Sequence, residues 1–245
     1  MMKMMYCRKF KLRNCGRFLH VSSDFGSKYK THTFLTSEAL YAGLTRERTR
    51  KPKFVDVKSD KYDFFSTYDV GSYPIWFTPG LFIDDDEKQY LKKTGENSDT
   101  NTFNVLDEDY PGTGAGKKRK SSPTYGSMET VLPGKTLVTY GFSMDKSIME
   151  SYKTSSVYIM GKKRTMFQIK ELSPIFECQQ LDQGRIVPAQ ITQDDIKDFT
   201  EYTVHAITMR YLLVSGFHTK SVIGCHSDDF DFFYPIHLIP KVLKG

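Results

Sequence analysis

Short apolar runs that alternate with polar positions dominate this chain. In CRKFKLRN (Cys7–Asn14), Phe10 and Leu12 alternate with Lys9, Lys11 and Arg13, and a period of two predicts a strand over residues 4–13. TLVTYGFSM (Thr136–Met144), SSVYIM (Ser155–Met160) and TMFQIKEL (Thr165–Leu172) are read as further strands. Between the last two stands Gly161-Lys162-Lys163-Arg164. A glycine permits a tight turn and three successive cations project from it, so the stretch predicts a hairpin with a basic tip. Taken alone, such a triplet is more often a solvated surface turn.

A helical period is clear in one place. In THTFLTSEALYAGLTRERTRK, Leu35, Ala39, Leu40 and Leu44 recur at helical spacing. Thr33 or Thr36 would cap the start, and the Arg/Lys cluster after Gly43 suits a helix C-terminus. Before it, FLHVSSDFGSKYK (Phe18–Lys30) predicts a strand end passing into a Ser/Gly loop. Residues 55–83 predict extended aromatic segments, since Pro74 and Pro79 oppose helix. Residues 84–127, acidic and then basic, predict a long mobile insertion. In residues 192–217, Thr192 and the acids after it resemble a capped helix start, but the later Thr, Val and Tyr leave helix and strand undecided. The tail from Asp229 predicts an extended segment.

The length of 245 residues suits a single domain over 1–245 with a sizeable core, and 18 Phe and 15 Tyr supply more rings than a core needs. The net charge of +6 is unevenly spread. Lys plus Arg against Asp plus Glu number 14 to 4 in residues 1–58, 4 to 12 in 59–110, 11 to 3 in 111–170, and 6 to 10 in 171–245. Alternating blocks suit a protein with a polyanion on one face and protein neighbours on another. Cys7, Cys15, Cys178 and Cys225 form no CxxC pair, and no long apolar run opens the chain. An intracellular, cytoplasmic protein with reduced thiols and no membrane span is expected.

The glycine-rich GTGAGKK (Gly112–Lys118) fails as a phosphate-binding P-loop, because Lys118 follows Gly116-Lys117 where Ser or Thr is required. A basic loop, Lys117, Lys118, Arg119 and Lys120, ordering on a phosphate backbone fits better. The acidic IDDDE run and the His226, Asp228, Asp229, Asp231 group lack metal-site spacing, so no metal or other cofactor is expected. No G-x-S-x-G elbow is present, and isolated histidines such as His205 and His237 are more often structural. A metal-independent ribonuclease needs only a general base and cations around the phosphate, and His20, His32 and Lys28 lie close enough in sequence to be candidates.

Four stretches, in order, resemble one family. FLHVSSDFG (Phe18–Gly26), THTFLTSEALYAGL (Thr31–Leu44), YPIWFTPG (Tyr73–Gly80) and IMGKKRT (Ile159–Thr165) are similar to the aromatic-Ser-Gly stretch, first helix, Tyr…Thr-Pro segment and basic strand-turn of the smaller Csc subunit. That family is a Cas-five-like RAMP component of type I-D CRISPR effector complexes. The match is patchy over residues 18–170 and departs at Phe34-Leu35, where the family favours Asn-Tyr, at Gly80 for Ala, and at Met160 for Leu. The resemblance implies an α+β fold with an RRM-like (ferredoxin-like) antiparallel sheet and long β-rich insertions. It also implies a non-catalytic subunit that holds the 5′ handle of the guide CRISPR RNA, contacts the large effector subunit and the repeated backbone subunit, and meets target DNA only indirectly. Some relatives outside the subtype process precursor RNA, which keeps the ribonuclease alternative open, as does a viral nucleic-acid-associated structural protein.

On that basis the candidate RNA-binding residues are Ser23, Phe25, Gly26, Lys28, Tyr73, Trp76, Lys117, Lys118, Arg119, Lys120, Gly161, Lys162, Lys163 and Arg164. Phe25, Tyr73 and Trp76 are candidate platforms for unstacked bases, each with a core role as the alternative.

Overall fold

The computed structural model describes residues 4–19, 21–24, 28–49, 64–84, 90–91, 98–104, 125–160, 164–208, 211–226 and 231–243. In chain order the strands are β1 (Tyr6–Asn14), β2 (Val21–Asp24), β3 (Lys28–Thr31), β4 (Phe34–Leu35), β5 (Ile75–Phe77), β6 (Gly80–Ile83), β7 (Ser98–Asn104), β8 (Tyr125–Val131) and β9 (Thr136–Ser143). They continue as β10 (Val157–Met160), β11 (Thr165–Leu172), β12 (Phe176–Glu177), β13 (Gln179–Leu181), β14 (Gly184–Ile191), β15 (Phe199–Ile207), β16 (Leu212–His218), β17 (Val222–His226) and β18 (Asp231–Pro235). The α-helices are α1 (Ser37–Thr49), α2 (Phe64–Thr67) and α3 (Lys146–Ser151). The fold is mixed, with antiparallel sheet predominating.

The main sheet runs β10-β11-β1-β9-β6-β4, with β5 also beside β9 and β12 beside β1. β1 is its central strand, pairing antiparallel with β9 from Tyr6↔Ser143 to Arg13↔Thr136 and with β11 from Phe10↔Leu172 to Asn14↔Phe167. Strand alternation sends Phe10, Leu12 and Asn14 into the core, all at 0 % exposure. Asn14 is tolerated there because its Nδ2 donates to the carbonyls of Leu132 at 2.8 Å and Gly16 at 3.1 Å.

Helix α1 packs against this side. Thr36 Oγ1 accepts from the Ala39 N–H at 3.2 Å, so the second of the two expected caps is used. The helix continues through Gly43 and ends at Thr49, within the basic cluster expected at its C-terminus. Gly43 is a packing glycine: a Cβ there would run into the Met160 side chain of β10. Leu40, Tyr41 and Leu44 are buried, with Phe10, Phe77 and Tyr152 forming edge-to-face ring contacts in the same core.

Three smaller sheets complete the fold: β13-β17-β18, β14-β16-β15 and β2-β3-β8-β7. Part of the expected 84–127 insertion is therefore regular, since β7 pairs with β8 from Ser98↔Val131 to Asn104↔Tyr125. Residues 105–124 lie outside the described residues. The 192–217 segment resolves as a 3-10 turn over Gln193–Asp198 followed by the antiparallel pair β15 and β16. The Thr192–Asp195 cap is present, with Asp195 Oδ2 accepting from Thr192 N–H at 3.0 Å and from its hydroxyl at 2.7 Å, but β-branched and aromatic residues take over from Phe199.

Candidate nucleic-acid interface

The alternation that buries Phe10 and Leu12 places Lys9, Lys11 and Arg13 on the opposite side of β1. One half of that outer face is covered: Tyr140 of β9 stacks on Phe232 of β18 at 4.1 Å, and Lys9 borders a cleft of about 220 Å³ with Tyr90, Tyr140, Val187 and Pro188. Burial pushes the phenols of Tyr90 and Tyr140 upward, so both stay neutral hydrogen-bonding groups. Lys11 is compensated by Glu171 at 3.0 Å. Arg13 stands exposed toward the other half.

That other half is open. Ile159 and Met166 are cross-strand partners, Val157 pairs with Gln168, and Gln168 in turn pairs with Arg13. Val157, Ile159 and Met166 are 53 %, 47 % and 52 % exposed, an apolar patch at the sheet edge beside the basic turn. Met160↔Thr165 closes the β10–β11 hairpin around residues 161–164, as the sequence predicts. Arg164 is exposed and takes φ 54°, the left-handed region, so an arginine supplies the positive φ at the end of this turn. Gly161, Lys162 and Lys163 lie outside the described residues.

The other candidates separate. Ser23 is on β2 and Lys28 on β3, partners in a β-hairpin whose register runs Ser23↔Lys30 and Asp24↔Tyr29. His20, Phe25, Gly26, Lys117, Lys118, Arg119 and Lys120 lie outside the described residues. His32 packs its ring on Phe34 at 4.4 Å, a structural contact. Tyr73 packs against the core and shares a 2.9 Å hydrogen bond between its hydroxyl and Ser151 Oγ. Trp76 is corrected from open platform to core wall: it is 5 % exposed and lies against Tyr41 and Phe64 at ring distances of 5.8 and 6.0 Å.

Sequence reading did not assign Lys9, Lys11 and Arg13 to a site, although their alternation with Phe10 and Leu12 already put three cations on one face of a strand. The cysteines also lacked a sequence pattern, yet the fold gathers three of them: Cys7 of β1, Cys178 between β12 and β13, and Cys225 of β17. Hydrogen bonding to Cys178 first, and burial, hold the Cys7 thiol well above its ordinary range, and Cys7 does the same to Cys225. All four cysteines are free thiols. Among the described residues no group of three or more His, Cys, Asp or Glu is placed to hold a metal ion, and no helix is long and apolar enough to cross a membrane.

No protein-family model matches the sequence, and no curated protein matches it. Two solved chains are similar in structure. One, from the cryo-EM structure of the type III-B Cmr-beta bound to cognate target RNA, is 11 % identical with a TM-score of 0.41 over 71 % of this chain and 61 % of the other. The second, from Cmr-beta bound to cognate target RNA and AMPPnP, is 12 % identical with a TM-score of 0.41 over 87 % of this chain and 85 % of the other. This chain thus spans under two thirds of the first of them. A TM-score at that level does not establish a shared fold, and the functional reading rests on the chain's own residues.

Proposed function

We propose that this chain is a non-catalytic subunit of a CRISPR RNA-guided effector complex, of the type I-D kind, in which it binds the 5′ handle of the guide RNA. It bridges the large subunit to the backbone subunits of a cytoplasmic ribonucleoprotein. The observation that carries the reading is connectivity: β1, α1, β5 with β6, β9, α3 and β11 follow in the chain, while the sheet order is β11-β1-β9 and then β5 or β6. That order supports reading these elements as a split β-α-β-β-α-β, RRM-like unit, with the β2-β3-β8-β7 sheet as an elaboration between its parts. It agrees with the resemblance of residues 18–170.

An RRM-like sheet meets RNA on the face away from its helices. Here that face is open around Val157, Ile159 and Met166 and is bordered by Arg13 and Arg164. Unstacked bases lie on apolar sheet positions while cations neutralise phosphates, a pairing of chemistries suited to single-stranded RNA. Register is fixed by handle contacts and target choice by guide–target pairing. No bond-making step is assigned to this chain.

The test is the Lys162→Ala/Lys163→Ala/Arg164→Ala variant. Folding is retained, handle-RNA affinity falls, and the slope of log K against log salt shrinks by about 2 if all three cations meet phosphates of a single strand. An unchanged affinity and slope removes the turn from the RNA site. Cleavage of the RNA in chelator, lost on changing His20, His32 or Lys28, would favour the ribonuclease reading instead.

A further inference from the structure

A second cleft, of about 380 Å³, lies away from the basic hairpin. The first turn of α1, Trp76 of β5, Gln190 of β14 and the 3-10 turns after β18 enclose it. Two residues of its wall, Trp76 and Gln190, each carry a polar atom, Nε1 and Oε1, that is buried without a hydrogen-bond partner among the described residues. Buried polar groups in folded proteins are rarely left unmet, and an indole N–H is a donor with no alternative role. Two such residues beside one cleft, one of them only 5 % exposed, point to a place where a complementary group is received once the wall opens slightly.

The surroundings restrict what that group is. Phe65 is 54 % exposed and lies nearly parallel to Trp76, with planes 16° apart and centroids at 6.5 Å, presenting a flat apolar wall. Glu38 adds an acceptor, while His237 and Lys241 add basic groups to the lining. The Gln190 amide offers both donor and acceptor edges and can turn to present either. A flat surface, one fixed donor, acceptors beside it and a cation together match a nucleobase with an attached phosphate.

We propose that this cleft binds the base of a nucleotide, with Trp76 Nε1–H donating to a ring nitrogen or carbonyl of the base. Gln190 and Glu38 accept from its amino or imino hydrogens, Phe65 lies along its face, and Lys241 meets the phosphate. The base is either that of a free nucleotide or one residue splayed from an RNA strand. The proposal stands apart from the handle-binding hairpin and does not require it.

Trp76 is the only tryptophan of the chain, so intrinsic fluorescence reports directly on the cleft. The full chain is titrated with AMP, GMP, CMP and UMP, with a short unstructured RNA, and with inorganic phosphate as control. At least one mononucleotide or the RNA is expected to change Trp76 emission saturably, and Phe65→Ala and Gln190→Leu each lose about tenfold or more in affinity while keeping the far-UV circular dichroism and urea midpoint of the unaltered chain. A response to mononucleotides assigns the free nucleotide as source; a response to RNA alone assigns a splayed residue. The Lys162/Lys163/Arg164 triple variant is expected to retain the mononucleotide response, which separates this site from the hairpin. Silence toward every nucleotide and RNA, an equal response to phosphate, or unaltered affinity in both cleft variants overturns the proposal.

Discussion

Gly43 shows how a single residue can be read two opposite ways. By helix propensity alone, Gly43→Ala within α1 should stabilise by about 1 kcal/mol. The Met160 side chain occupies the space of the new Cβ near its own backbone, so relief requires moving β10 as well as a side chain. Gly43→Ala is therefore expected to destabilise the protein by about 1–3 kcal/mol in urea unfolding. Stabilisation instead would mean that the helix does not approach β10 as closely as described. His205 gives a second expectation at this scale. Its Nε2 is 2.7 Å from Ser215 Oγ and its ring contacts Tyr90 at 4.6 Å, and burial lowers its pKa below the ordinary 6.5. The folded state then binds fewer protons than the unfolded state, so this contribution is complete above about 6.5 and is lost as pH falls through the lowered folded value. His205→Gln should flatten that part of the stability profile between pH 7 and 5; an unaltered slope assigns it elsewhere.

At the scale of elements, the strands that were legible are those whose alternation is local. β1, β9, β10 and β11 each bury one face, so a period of two is written into their residues. α1 was legible by its spacing and its end by the basic cluster, but the role of Gly43 was not, because that glycine answers a neighbour 117 positions away in the chain. β7 was illegible for the opposite reason: SDTNTFN carries little apolar signal and is held by its ladder to β8. In residues 192–217 the local cap at Thr192 and the β propensity after it compete, and each wins over its own few residues. The open hairpin face carries a prediction of its own. Ile159→Asp with Met166→Asp puts two carboxylates on half-exposed positions that face each other across the strands, so stability should fall by about 1–2 kcal/mol with the fold retained. RNA affinity should nevertheless fall, since two carboxylates would face phosphates beside Arg13 and Arg164. Unchanged RNA binding would show that the strand does not cross this face.

At the scale of the whole molecule, β1 organises both sides of the account. Its inward residues build the core under α1, and its outward residues carry cations whose fates differ along the strand: Lys9 beside a covered cleft, Lys11 paired with Glu171, Arg13 open. The candidate site was half legible in the sequence. The basic turn stood out as a run, whereas the apolar patch beside it emerges only when β10 and β11 pair and leave three large side chains on an uncovered edge. Trp76 could not be placed from sequence, because an aromatic among prolines fits a wall of the core as well as a platform. The most direct test of the central claim is to express the protein with its neighbouring genes, purify it by a tag and sequence the RNA that accompanies it. Short RNAs that share one repeat-derived 5′ end, held together with larger protein subunits, are expected. Protein free of RNA and of large partners, or RNA with random ends, would contradict a handle-binding role.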